Sequence, residues 1–179
     1  PLCLVGSEMC IRDSRYYSAQ NANVHRGSHS LTANATSQFE AARETVAKFI
    51  GASSSKEIIW TRGATEALNL IAQTYARSTL QAGDEILISE MEHHANIVPW
   101  QIVAEQTGAK IVKVPMTSDC QFDINAFEAL LSERCKIVAC AQITNVTGSR
   151  QPLSLIHISE PTRHRGISYE VFCLKTSGG

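Results

Sequence analysis

Between Tyr16 and Pro152 the apolar positions alternate between two periods. Leu31, Ala35, Phe39, Ala42, Val46 and Phe49 recur at helical spacing, and Gly51 stands where such a helix would stop. Residues 57–61, EIIWT, read as a short buried strand broken by Gly63. A helix is predicted over 64–77, with Leu68, Ile71, Ala72 and Tyr75 on its buried face. The alternation then repeats. Gly83 and Asp84 turn into a strand at 85–89, and Pro99 opens a helix running to Thr107, since proline in a first turn gives up only a donor that had no partner. Gly108 ends that helix. Residues 110–115 form a strand, Asp123 caps a helix through Ser132, and 136–141 form a further strand. Apolar strands alternating with helices imply an α/β fold whose mostly parallel sheet is covered by helices.

The two ends break this pattern. Residues 1–14, PLCLVGSEMCIRDS, and the run from Leu153, LSLIHISEPTRHRGISYEVFCLKTSGG, show neither a period of 2 nor of 3.6. Both resemble conceptual translations of short sequencing adapters, which implies segments never selected to fold. Three zones are therefore expected: 1–14 artefactual or disordered, 15–152 folded, and 153–179 artefactual or disordered.

Composition narrows the class. A chain of 179 residues with 44% hydrophobic and 18% charged positions is long enough for a core of ordinary make-up. A formal net charge of -1 gives no basic excess for nucleic acid. No apolar stretch approaches the roughly 20 residues that span a bilayer, and residues 1–10 lack the basic start and small-residue cleavage site of a signal peptide. Of six cysteines, only Cys120, Cys135 and Cys140 fall in the patterned region, without CxxC spacing. Free thiols in a reducing cytoplasm fit this better than a disulfide framework.

Four segments carry candidate chemistry: Asn23–Gly27 (NVHRG), the turn TRGATE around Gly63, EMEHHAN after the strand at 85–89, and TNVTG after the strand at 136–141. Three of the four follow strands, at the edge where open α/β sheets bind ligands. A helix opening after Gly63 presents unpaired N–H groups and a positive dipole end, which suits a phosphate, with the Thr65 hydroxyl as a further donor. A plain turn and cap is the other reading, and the GxxxxGK[ST] pattern is absent. His93 and His94, being adjacent, are poorly placed to share a metal ion, and no HExxH is present. Stacking on an aromatic cofactor, acid–base work near neutral pH, and a hydrogen-bonded loop histidine all remain open for His93. Asn145 is either a ligand donor or turn chemistry. His25 and Arg26 are either a carboxylate site or a solvated loop. No GxGxxG follows a strand, so a nicotinamide site is disfavoured.

Together, NVHRG, TRGATEALNL, EMEHHANIVPW and TNVTG resemble the fold-type I pyridoxal-phosphate (PLP) enzymes of the class V aminotransferase family. The resemblance is to the group II, sulfur-mobilising cysteine desulfurases and the selenocysteine lyases, whose HHAN-x-VPW run differs from group I enzymes with lysine after the first histidine. It implies part of a large PLP-binding domain, without the small C-terminal domain. It implies that Ala64 and Thr65 hold the cofactor phosphate, that His93 stacks on the ring and moves protons, that Asn145 bonds the phenolic oxygen, and that His25 and Arg26 lie toward the substrate. L-cysteine or L-selenocysteine as substrate, a homodimer, a sulfur-acceptor protein and sulfur supply for iron–sulfur clusters follow from the same resemblance. No metal is implied.

The pattern departs after Gln151 and Pro152. The family's Asp/Gln strand, its Ser-x-His-Lys motif and its nucleophilic cysteine loop do not appear, nor does an opening strand before NVHRG. The lysines present are Lys48, Lys56, Lys110, Lys113, Lys136 and Lys175, and none follows Ser-x-His. The expectation is a chain without Schiff-base chemistry of its own. Alternatives are another class V activity and a non-catalytic truncated domain.

Overall fold

The computed structural model describes residues 7–27, 29–151 and 165–168, with 7–9 and 165–168 by backbone alone. They fall into two compact units, Pro1–Ile59 and Trp60–Gly179.

The first unit is helical. Helix α1, Ser7–Arg15, runs straight into a π-helical turn, Tyr16–Gln20. This differs from the expectation for 1–14, where the residue pattern predicts no element. SEMCIRDSR holds neither glycine nor proline, and Arg12 and Arg15 sit in the last turn, where cations complement the helix dipole. Helix α2, Ser30–Ile50, ends as expected on Gly51, whose φ of 71° is the left-handed conformation that glycine reaches without strain. Its buried residues are Thr32, Ala35 and Ala47, whereas Leu31 and Phe49 of the expected apolar face are exposed. Residues 57–61 are not the expected strand. Ser55–Glu57 is a 3-10 turn, Ile58 alone is buried, and Ile59 is 67% exposed. A strand exists only as part of a ladder, and these residues belong to none of the ladders among the described residues.

The second unit is the α/β body. Helix α3, Ala64–Ile71, continues through a π-helical stretch, Ala72–Ala76, into α4, Arg77–Thr79. Strand β1, Glu85–Ser89, leads through a 3-10 turn, His94–Asn96, into α5, Val98–Thr107. Strand β2, Lys110–Val114, precedes α6, Ile124–Leu130, and β3, Cys135–Cys140. The caps match the residue chemistry: Pro99 in the first turn of α5, Gly108 at its end with φ 75°, and the Asp123 carboxylate accepting from the Ala126 N–H at 2.9 Å.

The sheet order is β2-β1-β3-β4, all parallel, as the alternation of strands and helices predicts. Strand β4, Arg165–Ser168, lies in the run read as unpatterned and pairs with β3. The remainder of 153–179 lies outside the described residues. Central strand β1 packs both faces, because successive side chains point to opposite sides. Ile86 and Ile88 join Leu68, Ala72, Trp100, Val103, Ile137 and Ala139 in one core cluster. Leu87 joins Val114, Phe122, Phe127, Val138 and Cys140 in the other.

Asp123→Ala is expected to cost about 1 kcal/mol in denaturant unfolding through loss of the α6 cap; a change within measurement error would show that the cap is redundant. Strands β2 and β4 each have one neighbour among the described residues, so a parallel sheet ends on unpaired N–H and C=O groups, and the 179-residue chain is expected to self-associate in light scattering. A monodisperse monomer with one cooperative melt would contradict this.

Candidate functional site

The sheet order places a topological switch at β1 and β3. From β1 the chain moves to one side, to β2, and then returns to the other side as β3. The carboxyl ends of such a strand pair leave a crevice between outgoing loops, where open α/β sheets bind ligands. His93 lies on the loop leaving β1 and Asn145 on the loop leaving β3. Helix α3, which carries Ala64 and Thr65, packs against the His94–Asn96 turn, with Leu68, Ala95 and Ile97 meeting in one core cluster.

One buried side chain ties the two loops together. Glu92 Oε1 accepts from the Ala141 backbone N–H at 2.7 Å, just past β3. Glu92 Oε2 accepts from Asn96 Nδ2 at 2.8 Å, and Asn96 Oδ1 accepts from Trp100 Nε1 at 2.9 Å. Glu92, Asn96 and Trp100 are all buried. Sequence reasoning takes the carboxylate beside two histidines only as a metal question and misses this anchor. Its signal is the four-residue spacing of Glu92, Asn96 and Trp100, since a buried indole N–H requires an acceptor.

His93 itself is exposed, and its Nδ1 accepts from the Ala95 N–H at 3.1 Å, capping the 3-10 turn. With Nδ1 accepting, the neutral ring carries its proton on Nε2. The His93 and His94 rings stand perpendicular, with centroids 6.1 Å apart. Among the described residues no group of three or more His, Cys, Asp or Glu side chains is arranged to hold a metal ion.

Helix α3 opens on Gly63 with no side-chain cap, and a Cβ added at Gly63 would meet open space. Thr65 is exposed there, and Ala64 half-buried. The Glu66 carboxylate accepts from the Arg62 N–H at 2.7 Å, bracing the turn. Asn145 sits exposed in a turn closed by Gly148 N–H donating to the Thr144 carbonyl at 3.1 Å, with Gly148 at φ 68°. Ser149 and Thr147 hydroxyls bond Thr144 Oγ1 behind it.

His25 and Arg26 belong to the first unit. His25 adopts φ 61°, held by its N–H donating to Thr36 Oγ1 at 3.0 Å, and its Nε2 lies 3.0 Å from Glu40 Oε1. Glu40 also accepts from Arg43. The imidazole is thus engaged within its own unit, while Arg26 is exposed.

Two thiols, Cys135 and Cys140, are buried at strand β3. Burial, with the charge of Glu92 nearby, pushes the Cys140 thiol up to about 12. It is protonated at neutral pH. Cys135 is buried with its thiol directed to the Ile137 carbonyl.

Burial raises the Glu92 pKa above its ordinary 4.5, and the bonds from Asn96 and Ala141 offset this only in part. A folded-state pKa above the unfolded one makes the carboxyl's contribution to stability fullest below pH 4.5 and smaller as pH rises through the folded value. Denaturant melts across pH are therefore expected to show the wild type losing stability relative to Glu92→Ala as pH rises above 4.5. Parallel pH profiles for the two proteins would rule out burial as the dominant influence.

The family model for aminotransferase class-V matches residues 8–167. A probable cysteine desulfurase of Vibrio cholerae is 76% identical over 149 residues, covering 82% of this chain and 37% of its own length. The cysteine desulfurase CsdA of Escherichia coli is 48% identical over 134 residues, 75% of this chain and 33% of its own. The crystal structure of that enzyme superposes with a TM-score of 0.71 at 40% identity, covering 89% of this chain and 40% of the other. The apo cysteine desulfurase of Thermococcus onnurineus superposes at 0.78 with 30% identity, over 87% of this chain and 38% of the other. This chain thus spans about two-fifths or less of the proteins it matches. With a switch point in the parallel sheet, a family match over most of its length and relatives this similar, the chain belongs to the aminotransferase class-V family.

Proposed function

We propose that these residues form the cofactor-receiving part of the large domain of a PLP-dependent cysteine desulfurase. The parent enzyme converts L-cysteine to L-alanine and carries the sulfur onward as an enzyme persulfide. The observation that carries the reading is the bond between Glu92 and the Ala141 N–H. It joins the loop bearing His93 to the loop bearing Asn145, at the strand pair where the sheet order switches.

PLP supplies an electron sink when bound. The residues of this chain supply its seat. The uncapped N-terminus of α3 at Ala64 and Thr65 receives the phosphate, with the Thr65 hydroxyl adding a donor. The exposed His93 ring would stack on the cofactor, with its Nε2 proton available. The Asn145 amide donates to the phenolic oxygen. His25, bonded to Glu40 within the first unit, and Arg26 are the substrate-binding candidates, Arg26 suited to a carboxylate.

None of the described lysines stands on the loops that leave β1 and β3. Lys48 is on α2, Lys56 in a 3-10 turn, and Lys110 and Lys113 on β2. Lys136, at the start of β3, donates to the Glu133 carbonyl at 3.0 Å. Lys175 is not among the described residues. On this reading the 179-residue polypeptide is a partial domain over 15–152 without Schiff-base chemistry of its own, its ends, 1–14 and 153–179, being artefactual or disordered. That lysine placement also supports a second reading, a non-catalytic truncated domain. In the parent enzyme we place a homodimer, a sulfur-acceptor protein, a role in iron–sulfur cluster supply, and a cytoplasmic location; L-selenocysteine is the alternative substrate. No helix among the described residues is long and apolar enough to cross a membrane.

Titration of the 179-residue chain with PLP is expected to show saturable, non-covalent binding, weakened roughly tenfold by Thr65→Ala, the equivalent of one lost hydrogen bond. No lysine-linked visible band should develop. Borohydride treatment should leave Lys48, Lys56, Lys110, Lys113 and Lys136 unlabelled by mass mapping, and L-cysteine should yield no alanine. Absence of saturable binding would overturn the cofactor reading; one selectively labelled lysine with alanine release would overturn the inactivity.

A further inference from the structure

We infer that Glu92 is a positioning residue for His93, acting through a chain of hydrogen bonds whose polarity demands one carboxylate side chain at position 92 or 96. The inference rests on the reading of His93 as a cofactor-facing residue, but the argument for it is geometric.

The two ends of the chain are fixed as donors. A backbone N–H, at Ala141, can only donate, and so can an indole N–H, at Trp100. Between them lie two side chains, and three bonds must be made in a space that admits no water contact, since Asn96 and Trp100 are both almost fully buried. Asn96 must turn its oxygen to Trp100, which leaves its Nδ2 facing Glu92 as a third donor. Residue 92 is thus met by N–H groups on both sides, and both of its terminal atoms have to accept. A carboxylate does this with its two oxygens; the two N–H bonds favour its charged form while burial opposes it. Glutamine would set an N–H against an N–H on one side, and flipping Asn96 would merely move the conflict to Trp100.

The consequence reaches His93 through Asn96 and Ala95. The Asn96 N–H donates to the His93 carbonyl at 2.8 Å, and the neighbouring Ala95 N–H donates to His93 Nδ1 at 3.1 Å. With the Asn96 side chain pinned by Glu92 and Trp100, this single turn is held against the ring, and the ring is fixed with Nδ1 accepting and Nε2–H presented outward. Without the anchor, the turn is released and both tautomers become available to an exposed imidazole. The same Glu92 bond ends at Ala141, four residues before Asn145, so one carboxylate sets the spacing of both loops.

The polarity argument makes a rescue possible. In the double variant Glu92→Gln/Asn96→Asp the amide oxygen at position 92 accepts from the Ala141 N–H. The amide nitrogen at position 92 donates to one oxygen of the carboxylate now at position 96. The other oxygen of that carboxylate accepts from Trp100 Nε1. All three bonds and the single carboxylate return, with side-chain lengths unchanged.

The test is solid-state NMR of the full 179-residue chain labelled with 15N-histidine, without cofactor, with the His93 signals identified by their loss in His93→Gln. This works whether or not the chain self-associates. In the wild type His93 Nδ1 is expected to be unprotonated, with its proton on Nε2. Glu92→Gln and Asn96→Asp are each expected to lower the melting midpoint by roughly 5–10 °C and to show a mixed tautomer population. The double variant is expected to restore both the midpoint and the wild-type tautomer. Should a single variant fail to fold, recovery of fold and tautomer in the double variant supports the proposal. A double variant no better than the singles, or a folded Glu92→Gln with the His93 tautomer unchanged, overturns it. Because no cofactor enters the readout, a failure of PLP binding would leave this result standing, and the reverse.

Discussion

The strand-end loops that leave β1 and β3 are tied together by one buried carboxyl group. Glu92 sits just beyond β1 and reaches across to the first backbone N–H beyond β3. Taking a carboxylate out of water without a cation is costly, and two direct N–H bonds return only part of that cost. A carboxylate retained in such a place keeps two strand-end loops in register, an arrangement that apolar packing is too non-directional to impose. The rest of the α/β body supplies what makes this tolerable: Asn96 ends the 3-10 turn, and Trp100, on α5, packs into the core beside Leu68 and Ile88. Structural and chemical demands therefore fall on the same few residues.

The division between rigid frame and open edge follows from the same arrangement. Strand β1 has neighbours on both sides and packing on both faces, so its ladder and its side chains are buried together. The residues assigned to ligand are the opposite: Thr65, His93 and Asn145 are all exposed, each on a turn braced by its own short-range bonds. The turns at this edge are held by glutamate, threonine and serine side chains, and the candidate groups on them are exposed.

What the residue order revealed, and what it concealed, divides by range. Caps at Gly51, Pro99, Gly108 and Asp123 were legible because each is settled by the chemistry of one or two neighbouring residues. The three strands 85–89, 110–115 and 136–141 were legible as apolar runs between turn signals, their ends shifting by a residue. Residues 57–61 have the composition of a strand but form none, because strand formation is decided by a distant partner. The π-helical stretch at Ala72–Ala76 has no signature in periodicity. The apolar face of α2 was misjudged because a stripe shows which side of a helix is greasy, and says nothing of how much of it is covered. Among the functional candidates, His93 and Asn145 were placed correctly on strand-end loops. The tie between them joins positions 49 residues apart and could be read only in three dimensions.

The alternation of β1 carries a further consequence. Ile86 and Ile88 speak to one cluster and Leu87 to the other, with a strand's thickness between them. The two halves of the interior are therefore separable engineering problems. The layer behind Trp100 can be recombined for volume and shape without disturbing the layer around Phe127, and the reverse. A library that varies one layer at a time searches two small spaces instead of one large one, and can leave the loop-bearing edge of the sheet where it is.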